Sequence, residues 1–153
     1  MGGINLGRVF LGGAAAGGLA VAIEYIAFFL GAYEKLGEAA GLPQLGHPST
    51  SAQLAVGSLQ ILVGGPLAIW LYAAIRPRFG AGPRTALIAS VYVWLVMGPY
   101  GLSVLSICGL FVSLPLPVIG LLELASFPFI AVCLLAGAAI YQEAAPSARA
   151  ATA

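Results

Sequence analysis

Residues 8–33 read RVFLGGAAAGGLAVAIEYIAFFLGAY, and this stretch decides the solvent in which the chain folds. An α-helix needs about 20 mostly apolar residues to cross the hydrocarbon core of a bilayer. Three further apolar stretches follow the first, at about residues 51–75, 85–107 and 117–141. Hydrocarbon offers the backbone no hydrogen-bond partners, so spanning segments form helices or closed barrels. The sequence therefore predicts an all-α fold, an integral membrane bundle of four transmembrane helices.

The composition of the whole chain agrees with a membrane setting. Its 153 residues are 61% hydrophobic and 7% charged, whereas a water-soluble domain usually carries about 25% charged residues. We expect a single transmembrane domain over residues 1–153, because the longest polar connection, about residues 34–50, is too short to hold a soluble catalytic domain. A net charge of +1 gives no indication of nucleic-acid binding.

The sequence contains none of the common enzyme motifs. GxSxG, HExxH and P-loop patterns are missing, aspartate does not occur, and the single histidine, His47, lies outside the apolar stretches. Cys108 and Cys133 match no metal or redox spacing, and we interpret both as small apolar residues. The sequence therefore predicts a protein that is not an enzyme, and it assigns no cofactor and no metal.

Basic residues predict the orientation of the bundle. With both termini on one side of the membrane, five of the six basic residues lie on that side and only Lys35 lies on the other. Positive charge collects on the cytoplasmic side of membrane proteins, so we expect cytoplasmic N- and C-termini. The loop between the second and third spans is expected either to contact anionic lipid head groups or to dock onto another subunit through Arg76, Arg78 and Arg84.

Small residues predict which helix faces pack together. Lipid tails are as apolar as leucine, so hydrophobicity cannot choose a face, whereas small residues let two backbones approach. On the first span such residues recur every three or four positions, with Glu24 in the same stripe. The predicted packing positions are Gly13, Gly17, Ala20, Gly57, Gly64 and Gly120.

Polar residues within the spans form a candidate site. At a rise of about 1.5 Å per residue, four of them fall at similar depths in the outer half of the bundle: Glu24, Gln60, Tyr100 and Glu123. A charged group near the centre of the bilayer costs at least about 2.5 kcal/mol. Two interpretations stay open: the glutamates join helices through hydrogen bonds, or they bind a proton, a cation or the polar part of a ligand.

Two segments of the chain resemble a known group of proteins. Residues 5–9 (NLGRV) precede the glycine-rich first span, and residues 70–85 read WLYAAIRPRFGAGPRT. With the spacing of the four spans, these segments resemble a group of small bacterial four-helix integral membrane proteins that share a WLYAAIRPRFG-x-GPRT cytoplasmic loop. The resemblance implies a bacterial inner-membrane location and the topology above, and it implies no activity.

The leading functional expectation is a small accessory or structural subunit that packs against a larger membrane complex. Its expected partners are membrane lipids and either other membrane protein subunits or further copies of itself. One alternative is a proton- or cation-coupled transporter or channel-like oligomer that uses Glu24 and Glu123. Another alternative is a lipid- or quinone-binding protein that uses the same polar residues.

Overall fold

A computed structural model describes residues 4–39, 41, 51–97 and 116–142 of the chain. Within these ranges the regular structure is entirely helical, and no strand occurs. The helices, in chain order, are α1 (Leu6–Phe29), α2 (Ala32–Ala39), α3 (Ser51–Phe79), α4 (Pro83–Leu95) and α5 (Leu116–Ile140).

Three helices are long and apolar enough to cross a membrane, and they confirm the membrane character of the chain. The qualifying segments are Leu6–Phe29 in α1, Ser58–Phe79 in α3 and Glu123–Ile140 in α5. The predicted third span is described only in part, as α4 followed by a π-helical turn at Val96 and Met97. Residues 98–107 of that span lie outside the described residues, so the bundle of four spans stays a prediction.

Large apolar side chains cover the outside of the long helices. Phe10 on α1 is 64% exposed, Leu67 on α3 is 59% exposed and Leu124 on α5 is 71% exposed. Water would penalise so large an apolar surface, whereas acyl chains solvate it. The outer surface therefore matches a hydrocarbon environment.

Local hydrogen bonds set the ends of α1 and α2. The Asn5 side chain accepts a hydrogen bond from the backbone N–H of Arg8 at 3.1 Å, which caps the start of α1. Gly31, with a positive φ of 66°, separates α1 from α2. The short helix α2 (Ala32–Ala39) then covers the first part of the polar segment that follows the first span.

Helix α3 runs one turn beyond the predicted span end at Ile75. Pro77 lies in its last turn and has no backbone N–H, so the helix lacks one backbone hydrogen bond there. Gly80, with φ 84°, ends the helix by donating its N–H to the Arg76 carbonyl at 2.8 Å. The buried Thr85 hydroxyl then donates to the carbonyls of Phe79 and Gly80, at 3.3 and 2.7 Å. These bonds tie the end of α3 to the start of α4.

Contacts at one end of the bundle show that neighbouring helices run antiparallel. The Tyr141 hydroxyl, just after α5, accepts a hydrogen bond from the Asn5 N–H at 3.4 Å. The Tyr72 hydroxyl on α3 accepts one from the Gly82 N–H at 3.3 Å, and the Tyr72 and Tyr141 rings meet edge to face at 6.0 Å. We call this the arginine end, because it holds Arg8, Arg76, Arg78 and Arg84.

Glycines bring the helices closest together near the arginine end. A Cβ atom on Gly12 of α1 would lie 2.6 Å from the carbonyl oxygen of Gly137 in α5. A Cβ atom on Gly65 of α3 would clash with the Gly13 carbonyl oxygen and lie 3.0 Å from the Gly17 nitrogen. Only glycine permits such backbone contact. The core beside these contacts includes Ile69, which is fully buried.

Candidate functional site

A cavity of about 470 Å³ lies between α1, α3, α4 and α5, on the far side of the glycine contacts from the arginine end. Its walls are almost wholly apolar. The lining residues are Ala16, Gly17, Ala20, Gln60, Ile61, Gly64, Gly65, Ala68, Val93, Met97, Glu123, Ser126, Phe129, Ile130, Cys133 and Leu134.

The cavity exists because two of its walls lack bulky side chains. The α1 wall consists of Ala16, Gly17 and Ala20, and the α3 wall includes Gly64 and Ala68. A Cβ atom on Gly64 would meet, among the described residues, only the Met97 Cε atom at 3.8 Å, so the space beside this glycine is open. The small-residue composition that permits close packing near the arginine end therefore leaves a gap further along the same helices.

Glu123 is the principal polar group in the cavity wall. Its side chain is only 8% exposed, and its Oε2 atom is buried with no hydrogen-bond partner in the described part of the chain. A buried polar atom without a partner is rare in native proteins and costs about 1–3 kcal/mol. Such an atom at a cavity wall points to a ligand that supplies the missing partner.

The backbone at Glu123 is held firmly. Its carbonyl oxygen accepts hydrogen bonds from Trp94 Nε1 at 2.9 Å and from Ser126 Oγ at 2.8 Å. Pro128, five residues further along α5, has no backbone N–H to donate. The Trp94 ring also packs edge to face on Phe127, with centroids 5.8 Å apart. Helix α4 thereby fixes the position of Glu123.

Two lining residues of the cavity are exposed, Gln60 on α3 and Met97, two positions after the end of α4, whereas the others are buried or half-buried. Met97 is 56% exposed. We call the side of the cavity at these two residues its mouth.

Comparison of the chain with protein-family models, curated proteins and solved structures found no match. The resemblance to small bacterial four-helix proteins therefore stays a prediction, and the geometry of the site carries the functional argument.

Two of the four predicted polar residues, Gln60 and Glu123, lie in the cavity wall, on α3 and α5 respectively. Glu24 is half-buried on α1, one helical turn beyond Ala20 and outside the lining residues. No hydrogen bond joins it to Glu123 among the residues that the structure describes. Tyr100 lies outside the described residues.

The predicted packing positions fall into three groups. Gly13, Gly17 and Ala20 are buried on α1. Gly64 lies in the cavity wall, and a Cβ atom on Gly120 would have no neighbour within 4 Å in the described ranges, so its surroundings there are open. Gly57 lies in α3, but its packing falls outside the described residues. The closest backbone contacts involve the predicted Gly13 together with Gly12, Gly65 and Gly137, which were not among the predicted positions.

The three predicted loop arginines have different surroundings. Arg76 is half-buried, and its guanidinium carbon lies 5.7 Å from the Tyr72 ring centroid and 5.3 Å from that of Tyr141. Arg78 and Arg84 are exposed. Arg76 is thus part of the packing of the arginine end, while Arg78 and Arg84 keep the geometry expected of residues that meet lipid head groups or another subunit.

Sequence reasoning missed several wall residues on α5. Ser126 and Cys133 lie three and ten positions after Glu123, on one helix face. Extending the face of Glu123 along the helix would have found them. Phe129 on α5 and Met97 after α4 carry no comparable signal, because apolar residues occur on every face of these helices.

The lining residues also limit the charge that the cavity wall can carry. None of its lining residues is lysine, arginine or histidine, so an ionised Glu123 would lack a basic partner there. Burial of an unpaired charge is costly, which leaves a neutral carboxyl group or a bound cation. Within the described residues, no group of three or more His, Cys, Asp or Glu side chains is placed to hold a metal ion.

Proposed function

We propose that this protein is a non-enzymatic, multi-pass membrane protein that binds a small lipid-soluble molecule in the cavity between α1, α3, α4 and α5. The observation that carries the proposal is the buried Oε2 atom of Glu123, which has no partner among the described residues and lies in an otherwise apolar cavity wall. A guest with a complementary polar group would satisfy that atom and fill the space around it.

The dimensions and chemistry of the cavity support this proposal. Small-molecule sites usually enclose about 300–1,000 Å³ and combine apolar walls with a few polar groups that orient the ligand. The cavity has a volume of about 470 Å³, and Gln60, Glu123 and Ser126 supply its polar groups. Of the three functions that the sequence suggests, we favour lipid or quinone binding, because such a guest would fill the apolar cavity as well as meet its polar groups.

The setting is part of the same proposal. We place the protein in a bacterial inner membrane, with the arginine end in the cytoplasm. The exposure of Gln60 and Met97 at the mouth supports entry from the lipid phase. Accessory-subunit and transport roles stay predictions, and the experiment below distinguishes both from small-molecule binding.

Filling the cavity tests the proposal. Gly64→Leu places a side chain in open space beside Gly64, so we expect the fold to survive and the amount of co-purified lipid-soluble molecule to fall at least about tenfold, since an overlap with the guest costs about 1.4 kcal/mol or more. The measurement is organic extraction of protein purified from native membranes, followed by mass spectrometry and normalised to protein.

Gly18→Leu is the matched control, because Gly18 is exposed on α1, has no described atom within 4 Å of its Cβ position and lies outside the cavity wall. This variant should retain the small molecule at the wild-type amount. Equal retention by Gly64→Leu, or no small molecule with the wild type, would overturn the proposal. A stoichiometric large subunit in place of a small molecule would support the accessory role, and flux through liposomes would support transport.

A further inference from the structure

We propose that the guest is a quinone-class lipid, whose ring occupies the cavity with one carbonyl oxygen accepting a hydrogen bond from the Glu123 carboxyl group. This inference rests on the proposed function and narrows it to a ligand class. It predicts that the Gln60 amide faces the second carbonyl oxygen and that the isoprenoid tail leaves through the mouth.

The first argument is the placement of the polar groups. A para-quinone is a flat ring with hydrogen-bond acceptors at opposite edges, and it has no donor of its own. Gln60 and Glu123 lie on α3 and α5, on different walls of one cavity. An amide N–H₂ and a neutral carboxyl O–H are both donors. Two donors that approach from different helices match a guest with two opposed acceptors.

The second argument is the charge of the wall. Glu123 has no lysine, arginine or histidine beside it among the lining residues, so the neutral carboxyl group avoids the cost of an unpaired buried charge. A neutral carboxyl group must place its O–H proton on an acceptor. A carbonyl oxygen satisfies that proton without bringing a charge into the cavity.

The third argument is the shape and position of the walls. Gly17, Gly64 and Gly65 present backbone without side chains, and Phe129 on α5 adds an aromatic ring to the lining of the cavity. Flat rings pack well against aromatic faces, and Met97 at the mouth adds a polarisable sulfur contact. The exposed mouth at Gln60 and Met97 gives a hydrophobic tail direct access to acyl chains.

Fluorescence offers a direct test, because the chain has two tryptophans and only Trp94 adjoins the cavity through its bond to the Glu123 carbonyl. In the Trp70→Phe background, a benzoquinone with a ten-carbon tail is titrated into the protein in detergent micelles. We expect saturable quenching of Trp94. In the Glu123→Leu variant the affinity should fall about tenfold, the loss expected for one buried hydrogen bond.

Glu123→Gln separates a carbonyl guest from a cationic one. Glutamine keeps a donor and cannot carry charge, so quinone affinity should stay within about threefold of wild type. Gln60→Leu provides a second variant with an expected loss of affinity, in case Glu123→Leu does not fold. Glu24→Gln is the matched control, since Glu24 lies outside the cavity wall, and it should leave the affinity unchanged.

Several results would overturn the quinone assignment. Quenching that is linear in quinone and equal in Gly64→Leu would show partition into micelles only. Undiminished quinone affinity in both Glu123→Leu and Gln60→Leu would show that neither side chain donates a hydrogen bond to the quinone. Loss in Glu123→Gln, together with saturable binding of decylamine by the wild type, would identify a cationic amphiphile, and the proposed function would survive. Failure of both co-purification and quenching would refute the two proposals together.

Discussion

Gly65→Leu is expected to prevent α1 and α3 from packing and to leave little folded protein after extraction into detergent. A Cβ atom at this position already clashes with the Gly13 carbonyl oxygen and lies 3.0 Å from the Gly17 nitrogen. These obstacles are backbone atoms, which cannot rotate away as a flexible side chain can. Overpacking of a core costs about 1–3 kcal/mol and sometimes more. We expect the cost of a leucine between two helix backbones to lie at the upper end of that range.

The measurement is the yield of monodisperse protein on size-exclusion chromatography, with thermal unfolding of whatever remains folded. Gly18→Leu is the control for added bulk on a glycine-rich helix, because no atom of the described residues lies within 4 Å of its Cβ position. We expect that variant to match wild type in yield and melting temperature. Equal yields for Gly65→Leu and Gly18→Leu would contradict the α1–α3 contact.

Arg76→Ala is expected to lower the free energy of unfolding by about 2 kcal/mol. A cation over an aromatic ring contributes about 0.5–2 kcal/mol, depending on exposure, and the Arg76 guanidinium lies near two rings, those of Tyr72 and Tyr141. Tyr72 is 3% exposed and Tyr141 is 5% exposed, so the substitution also removes packing from a buried pair of rings. Titration with a denaturing detergent, followed by circular dichroism, measures the loss.

Arg78→Ala is the matched control, because Arg78 is exposed in the same last turn of α3. A surface substitution of this kind usually changes stability by less than about 0.5 kcal/mol. If the free energy of unfolding fell equally in both variants, the contribution of Arg76 would come only from the positive charge that any arginine brings to the arginine end. The packing of Arg76 between the two tyrosines would then have no energetic role.

The long apolar helices were predictable because hydropathy is a local property of the sequence. α1, α3 and α5 each stand out as a run of apolar residues, and their lengths follow from the thickness of hydrocarbon. The end of α3 was less predictable. Pro77 suggests a loop in isolation, yet Thr85 and Gly80 supply hydrogen bonds that let the helix continue to Phe79. The bonds from Thr85 depend on the neighbouring helix α4.

The rotation of each helix about its own axis was harder to predict from the sequence. Gly64 and Gly65 are adjacent in sequence, and the small-residue stripe predicts Gly64 as the packing position, but Gly65 contacts the α1 backbone while Gly64 opens onto the cavity. A step of one residue turns a helix by about 100°, and an apolar sequence gives no amphipathic signal to choose between the two. Contacts between the helices determine which of the two glycines faces α1.

Polar residues within the spans were the strongest guide to the site, and also an incomplete one. Glu123 and Gln60 stood out because carboxyl and amide groups are rare in hydrocarbon, and both lie in the cavity wall. Glu24 met the same criterion but lies one turn beyond that wall. Depth estimates are good only to about one turn of helix, roughly 5.4 Å, which is enough to separate a lining residue from a neighbour.

The glycine contacts near the arginine end, Gly12 with Gly137 and Gly13 with Gly65, leave no room for a side chain between the helix backbones there. Under the proposed function, a guest therefore enters and leaves on the other side of these contacts, and its occupancy follows its concentration in the surrounding leaflet. Passage of that guest to the opposite face of the membrane would require the paired glycines to separate.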